Sequence, residues 1–215
     1  MQADLPGHSA KYGSYSMMDL QTNRVVDLLL VQSNEVGGSH NMEKEGLKRS
    51  LAKIAQYGVT LGSIVTDRHP QIQRYPREQQ ITQFFDVWHI EKGITKKLEQ
   101  ASKTRDCQKL QKWIRAIKNH IYWTAASSST GPERVAKWKS LINHVQDVHS
   151  HDNPLYPQCV HPIRQTTDRQ KWISAASPAL HKLEKIMTNT RQILKDVQKM
   201  SSHHQTLVVI GGIPV

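Results

Sequence analysis

The stretch IVTDRHPQIQRYPREQQITQFFDVWHIEK, residues 64–92, decides how this chain is read. It holds two short apolar runs, each ending on an aspartate with a histidine close behind: Asp67 with His69, and Asp86 with His89. An acid at the end of a buried strand lies at the rim of a sheet, where a rigid element holds it and its carboxylate faces solvent or a metal. The spacing predicts a strand over 61–66, a short helix that Pro70 opens and Pro76 limits or kinks, and a strand over 82–88. A helical crossover between two strands implies parallel pairing.

Upstream, residues 10–20 and 24–32 predict a hairpin turning at Gln21-Thr22-Asn23, because Asn tolerates turn geometry. The second arm contains VVDLLLV, nearly continuously apolar, as in a strand covered on both faces. Gly37 and Gly38 break the chain before a helix over 42–57, with Leu47, Leu51 and Ile54 on one face and Gly58 as its stop. Downstream of residue 90 the chain becomes helical and basic. Residues 106–123 place Leu110, Trp113, Ile114, Ile117 and Ile121 at helical spacing. Thr130-Gly131-Pro132-Glu133 reads as a capped helix start whose buried face carries Val135, Trp138, Leu141, Ile142 and Val145. Residues 149–167 read as a loop, and 177–200 as a final helix through Leu180, Leu183, Ile186, Leu194 and Val197. The last nine residues, LVVIGGIPV, are uncharged and lack helical periodicity.

A chain of 215 residues is long enough to bury a substantial core. No stretch approaches the roughly 20 apolar residues of a membrane span, so no membrane partner is expected. The start, MQADLPGHSAKYG, lacks the basic-then-apolar layout of a secretion signal. Cys107 and Cys159 lie far apart and suggest no disulfide framework, which favours a reducing compartment. The 29 Lys and Arg against 18 Asp and Glu leave a net charge of +11. That excess points to nucleic acid, because phosphate contacts dominate such affinities. Lys92, Lys96, Lys97, Lys103, Lys109, Lys112, Arg115 and Lys118 are the candidate phosphate contacts, against the plainer reading of a solvated helix face.

Seven stretches together carry a resemblance: DLPGHSAKYGSYSMMDL (4–20), LVQSNEVGGSHNMEKEGLKRSL (30–51), IVTDRHPQI (64–72), FFDVWHIEKGITKKL (84–98), KNHIYWTA (118–125), INHVQDVHSHDNPLYPQCVHP (142–162) and KMSSHHQT (199–206). They resemble the catalytic core of transposon-derived DDE transposases of the insertion-sequence type, over nearly the whole chain. The resemblance implies an α/β fold in which an incomplete ribonuclease H-like sheet precedes a mostly helical, basic insertion region. It divides the chain into a partial core (1–89), a helical insertion region (90–200) and a divergent tail (201–215). It also implies DNA as partner, the nucleus as location and Mg²⁺ as cofactor. In such enzymes three acids hold two ions, which activate the attacking oxygen and stabilise the leaving one.

Asp67, in VTDRH, matches the family's second acid; its alternative is an aspartate capping the helix near Pro70. Asp86 and His89 match a motif beside the site and are expected to orient a ligand or touch phosphate, or else to pack at a strand end. Asp4 is what remains of an Asp-Gly-Arg-x-Asp-Ser-Pro-Gly motif, and it is the second candidate Mg²⁺ ligand. The strand bearing that motif is normally central, so its loss is expected to cut the sheet in two and leave ladder groups unpaired. Ile210 stands where a Ser-Ser-Leu-Glu-type helix places the third acid, and isoleucine binds no metal. The expectation is a transposase-like strand-transfer and nuclease protein truncated at both ends, catalytically silent and retaining nucleic-acid binding. The alternatives are a domesticated DNA- or protein-binding module and an unstable product of a damaged transposon gene.

One constellation is independent of that chemistry. His144, His149, His151, Cys159 and His161 gather potential zinc ligands around one loop, and the H-x-H then C-x-H pattern of His149, His151, Cys159 and His161 is compatible with a tetrahedral nitrogen and sulfur site. The competing reading is a solvated, histidine-rich loop.

Overall fold

The computed structural model describes residues 2–3, 10–161, 169–188 and 191–202. They form a mixed α/β structure, mostly helical, in two compact units, Met1–Phe84 and Phe85–Val215. The division falls a few residues before the expected one at 89.

The first unit is built on the predicted hairpin. Strands β2 (Tyr12–Asp19) and β3 (Arg24–Gln32) pair antiparallel, with a register irregularity between Met17 and Met18. Asn23 takes the left-handed conformation in the turn (φ 55°), which Asn tolerates. A two-residue strand β1 (Gln2–Ala3) pairs with β2 on its other side. Helix α1 (Met42–Gln56) covers this sheet with Met42, Gly46, Leu47, Ser50 and Leu51 buried at helical spacing, and stops at Gly58, where φ is +70°.

Gly46 lets α1 approach closely: a Cβ there would lie 2.7 Å from Cβ of Tyr15. Overpacking of this kind costs about 1–3 kcal/mol, against about 1 kcal/mol of helix propensity gained by Ala over Gly. Gly46→Ala is therefore expected to lower the melting temperature of the first unit. An unchanged or raised value would show that Tyr15 moves aside at no cost.

Beneath α1, Asp27 of β3 is 4% exposed and accepts hydrogen bonds from Ser50 Oγ and Lys53 Nζ, both at 2.6 Å. Burial pushes its carboxyl up, but the bonds from Lys53 and Ser50 more than offset this and leave it below its ordinary value.

The two-sided cover expected for β3 is not found. Asp27, Leu29 and Val31 turn inward, while Val26, Leu28 and Leu30 are 52%, 67% and 62% exposed. Alternation places one face toward α1, and the apolar run alone did not distinguish one covered face from two.

Strand β4 (Ser63–Thr66) leads into α2 (Pro70–Glu78), and β5 (Thr82–Phe85) returns beside β4. Pro76 neither ends nor limits α2; it is buried inside the helix, and its carbonyl accepts from Ile81 N at 2.8 Å. The expected strand over 82–88 stops at Phe85. Asp86 is extended, and its Oδ1 accepts from Trp88 N at 3.0 Å, so Val87 and Trp88 become the first turn of α3 (Val87–Ser102). Among the described residues the strands form two sheets, β1-β2-β3 and β4-β5, and a single ribonuclease H-like sheet is not among them.

The second unit is helical. α3 packs on α4 (Lys109–Ser127), and α5 (Gly131–His144) packs on α4, α6 (Pro178–Thr188) and α7 (Arg191–Gln198). Leu98, Leu110, Ile117, Ile121, Trp138, Leu141 and Leu183 lie at its centre. Phe85 N donates to Lys199 O (2.7 Å) and Ser201 N to Phe85 O (2.9 Å), tying the two ends of the unit by one parallel bridge. α4 starts later than expected because Arg105–Cys107 form a separate 3₁₀ turn. The single C-terminal helix is found as α6 and α7, with residues 189–190 outside the described set. Thr130 Oγ1 accepts from Glu133 N at 3.3 Å as the capping motif requires, while Glu133 Oε2 accepts from Ser129 N at 2.8 Å rather than from the cap residue itself.

Candidate metal centre and basic helix pair

The most organised constellation of chemistry-bearing side chains is in the second unit. α5 ends at His144, and Asp147 takes the left-handed conformation (φ 65°), so Asp147 N bonds His144 O and Val148 N bonds Asn143 O, both at 3.1 Å. That reversal brings His149 back beside His144. The chain then folds on itself: Ser150 bridges Gln158, His151 N donates to Pro157 O (2.7 Å), and Cys159 N donates to His149 O (2.9 Å). Asn153 forms the tip, its side chain accepting from Leu155 N at 3.0 Å.

The result is a cluster in which one ligand atom from each of His144, His149, Cys159 and His161 lies within 4.8 Å of the others. The imidazole centroids are 5.1 Å apart for His144 and His149, 5.2 Å for His144 and His161, and 4.9 Å for His149 and His161. Trp113 and Trp172 stand edge-on to His144 at 6.2 and 6.1 Å. Trp113 is itself fixed by donating from Nε1 to Lys171 O at 3.0 Å. The histidine His144 is pushed down to about 4 by burial first and then by His149, His161, His151 and Lys171, which leaves a neutral imidazole. Burial likewise pushes the Cys159 thiol up. These four residues could hold a metal such as zinc.

The set differs from the pattern His149, His151, Cys159 and His161 in one member. His144 replaces His151, because the end of α5 projects it into the cluster. His151 turns the other way: its Nε2 is 3.3 Å from Cys159 Sγ, its Nδ1 is 3.3 Å from Asn143 Nδ2, and its ring stacks on Tyr156. The sequence reading missed Asp147, whose Oδ1 lies 3.1 Å from His149 Nε2. The D-x-H spacing in QDVH was the available signal.

The acids of the opening stretch are placed differently. Asp67 follows β4, and its Oδ1 accepts from His69 N at 3.1 Å, a local turn just before α2 rather than a cap on the helix's own N–H groups. Tyr15 is pushed above its ordinary range by burial first, then by the charges of Glu43 and Asp67. Asp4 and Ile210 lie outside the described residues. Among the described residues, no group of three or more metal-ligating side chains includes Asp67. The described residues therefore do not fit the paired Mg²⁺ ions of a three-acid site.

Asp86 is 2% exposed and serves as the N-cap of α3, with His89 Nε2 3.8 Å from its Oδ2. His89 packs edge-on to Trp88, and Lys92 Nζ lies 4.6 Å from the Trp88 ring centroid.

Apart from Lys103, which follows α3, the basic candidates fall on α3 and α4. Lys96, Lys97, Lys112 and Arg115 are exposed and make no ion pair with a described residue. Lys118 is committed to the buried Glu91 at 3.1 Å, and Lys109 donates to Trp172 O at 3.1 Å. No described helix is long and apolar enough to cross a membrane. Searched against models of known protein families, against curated proteins and against solved structures, the chain matches none of them.

Proposed function

We propose that the chain is derived from the core of a DDE transposase, that it is catalytically silent, and that it binds DNA through the paired helices α3 and α4. The observation that carries the binding reading is the set of exposed cations Lys96, Lys97, Lys112 and Arg115, none ion-paired with a described residue, on two helices that pack together. Cations that are not neutralised by protein acids remain available to displace counterions from phosphate. The net charge of +11 supports the same partner. The silent reading rests on Asp67, which joins no group of three metal-ligating side chains among the described residues, and on Ile210, which has no ligand atom. Two-ion phosphoryl transfer requires carboxylates on both ions. The ribonuclease H-like ancestry rests on the sequence motifs, and the nucleus is the corresponding location.

Binding to a labelled DNA duplex, followed by anisotropy across a salt series, tests this. The double variant Lys112→Glu/Arg115→Glu is expected to weaken binding and to flatten the slope of log affinity against log salt by about 2. Binding and slope unchanged in the variant would remove the proposed interface. Incubated with supercoiled plasmid and Mg²⁺, the chain is expected to leave the plasmid uncut. Nicking that is abolished by Asp67→Ala would refute catalytic silence.

A further inference from the structure

We propose that His144, His149, Cys159 and His161 bind one zinc ion in a closed tetrahedral site, with Asp147 and His151 as positioning residues. The proposal does not depend on the DNA-binding reading.

The cluster has the composition and the approach that zinc requires. Around a tetrahedral ion with bonds of roughly 2.0–2.3 Å, ligand atoms stand about 3.5 Å apart. Cys159 Sγ and His144 Nδ1 are already 3.7 Å apart, and the full set lies within 4.8 Å. Small side-chain rotations therefore complete the geometry without moving the backbone.

His149 supplies the most specific sign. Its Nδ1 is buried and has no hydrogen-bond partner among the described residues, while its Nε2 faces the Asp147 carboxylate at 3.1 Å. An orphaned buried ring nitrogen is costly, and a metal bond is the partner that would satisfy it. The other nitrogen then donates to a carboxylate, the arrangement that fixes the tautomer of metal-ligating histidines and raises their basicity. His151 has the matching role toward sulfur. Its Nε2, 3.3 Å from Sγ, can donate to the thiolate that forms when Cys159 loses its proton to solvent on zinc binding.

Three nitrogens and one sulfur fill all four positions, so the site is structural rather than catalytic. The hairpin it closes has one buried anchor, Tyr156, while Leu155 near its tip and Val160 beside Cys159 are 53% and 78% exposed. Zinc therefore adds to the packing of Val145 and Tyr156 in holding residues 145–161 against the end of α5.

The test uses the full chain, stripped with chelator and titrated with zinc and then cobalt. The expected results are one zinc per chain by elemental analysis and, with Co²⁺, the intense visible bands of a tetrahedral ion together with a thiolate charge-transfer band. Cys159→Ser should remove that charge-transfer band. Because it perturbs the fold least, exposed His161 is the second ligand to change, and His161→Ala should weaken zinc binding. Asp147→Asn and His151→Phe should keep the tetrahedral spectrum and lose about 10- to 100-fold in affinity, with Asp147→Glu restoring part of it. Failure of the full chain to take up zinc would overturn the site, as would the weak spectrum of octahedral cobalt. A charge-transfer band that survives Cys159→Ser, or an affinity unchanged in His161→Ala, would overturn this ligand set.

Discussion

Trp138→Ala is expected to destabilise the helical unit by about 3–5 kcal/mol, the range for truncating a large aromatic in a close-packed core. Trp138 on α5 is fully buried, and its Nε1 donates to Met187 O at 2.8 Å, near the end of α6. The side chain thus has two jobs, filling the space between helices and satisfying a carbonyl that the last turn of a helix leaves without an intrahelical partner. Truncation opens a cavity and also orphans that carbonyl, which is why the cost sits at the upper end of single substitutions. Domains have roughly 5–15 kcal/mol in total, so the loss is a large fraction of the stability. Trp138→Phe separates the jobs: it keeps most of the volume and loses only the hydrogen bond, for about 1 kcal/mol. Denaturant unfolding of the full chain measures both. A loss below about 1 kcal/mol for the alanine variant would mean that the helices close over the gap.

Acidification should weaken the same unit through His120. This residue lies on α4 with its Nε2 2.8 Å from Lys137 O, and it is pushed down to about 4 by burial first, opposed by the carbonyls of Lys137 and Trp138. The neighbouring imidazoles of His144 and His151 lower it further. Because the native state holds the neutral ring, the unfolded chain binds the proton first. Stability is therefore intact above pH 6.5, falls as pH drops from 6.5 toward 4, and levels off below that. The shift corresponds to a loss of about 3 kcal/mol across the window. His144 moves in the same direction. His120→Gln, which keeps a donor for the Lys137 carbonyl, should flatten the dependence of melting temperature on pH. Profiles that coincide for variant and parent would assign the acid sensitivity elsewhere.

Local chemistry was legible wherever a feature is decided within a few residues. The hairpin arm Arg24–Gln32 and its Asn23 turn follow from the apolar run VVDLLLV and from the tolerance of Asn for positive φ. The α1 face with Leu47 and Leu51, the α4 face with Leu110, Trp113, Ile117 and Ile121, and the Thr130 cap follow from helical periodicity and side-chain reach. The exposure of Leu28 and Leu30 was not legible, because an apolar run records that a strand is hydrophobic and not how many layers cover it. Nor was the boundary at Asp86. Val87 and Trp88 favour strand in isolation, and only the carboxylate bonding Trp88 N starts the helix.

The metal-ligating cluster divides in the same way. The sequence by itself determined that five candidate ligands crowd into residues 144–161, that the chain is strongly basic, and that Asp67 and Asp86 end short apolar runs. Only the tertiary structure decided that His144 rather than His151 joins His149, Cys159 and His161, and that Asp147 stands behind His149. Ligand choice depends on where a helix ends and on how a reversal re-aims a ring by several ångströms. The left-handed Asp147 and the Ser150–Gln158 bridge set those directions through contacts that residue spacing does not encode.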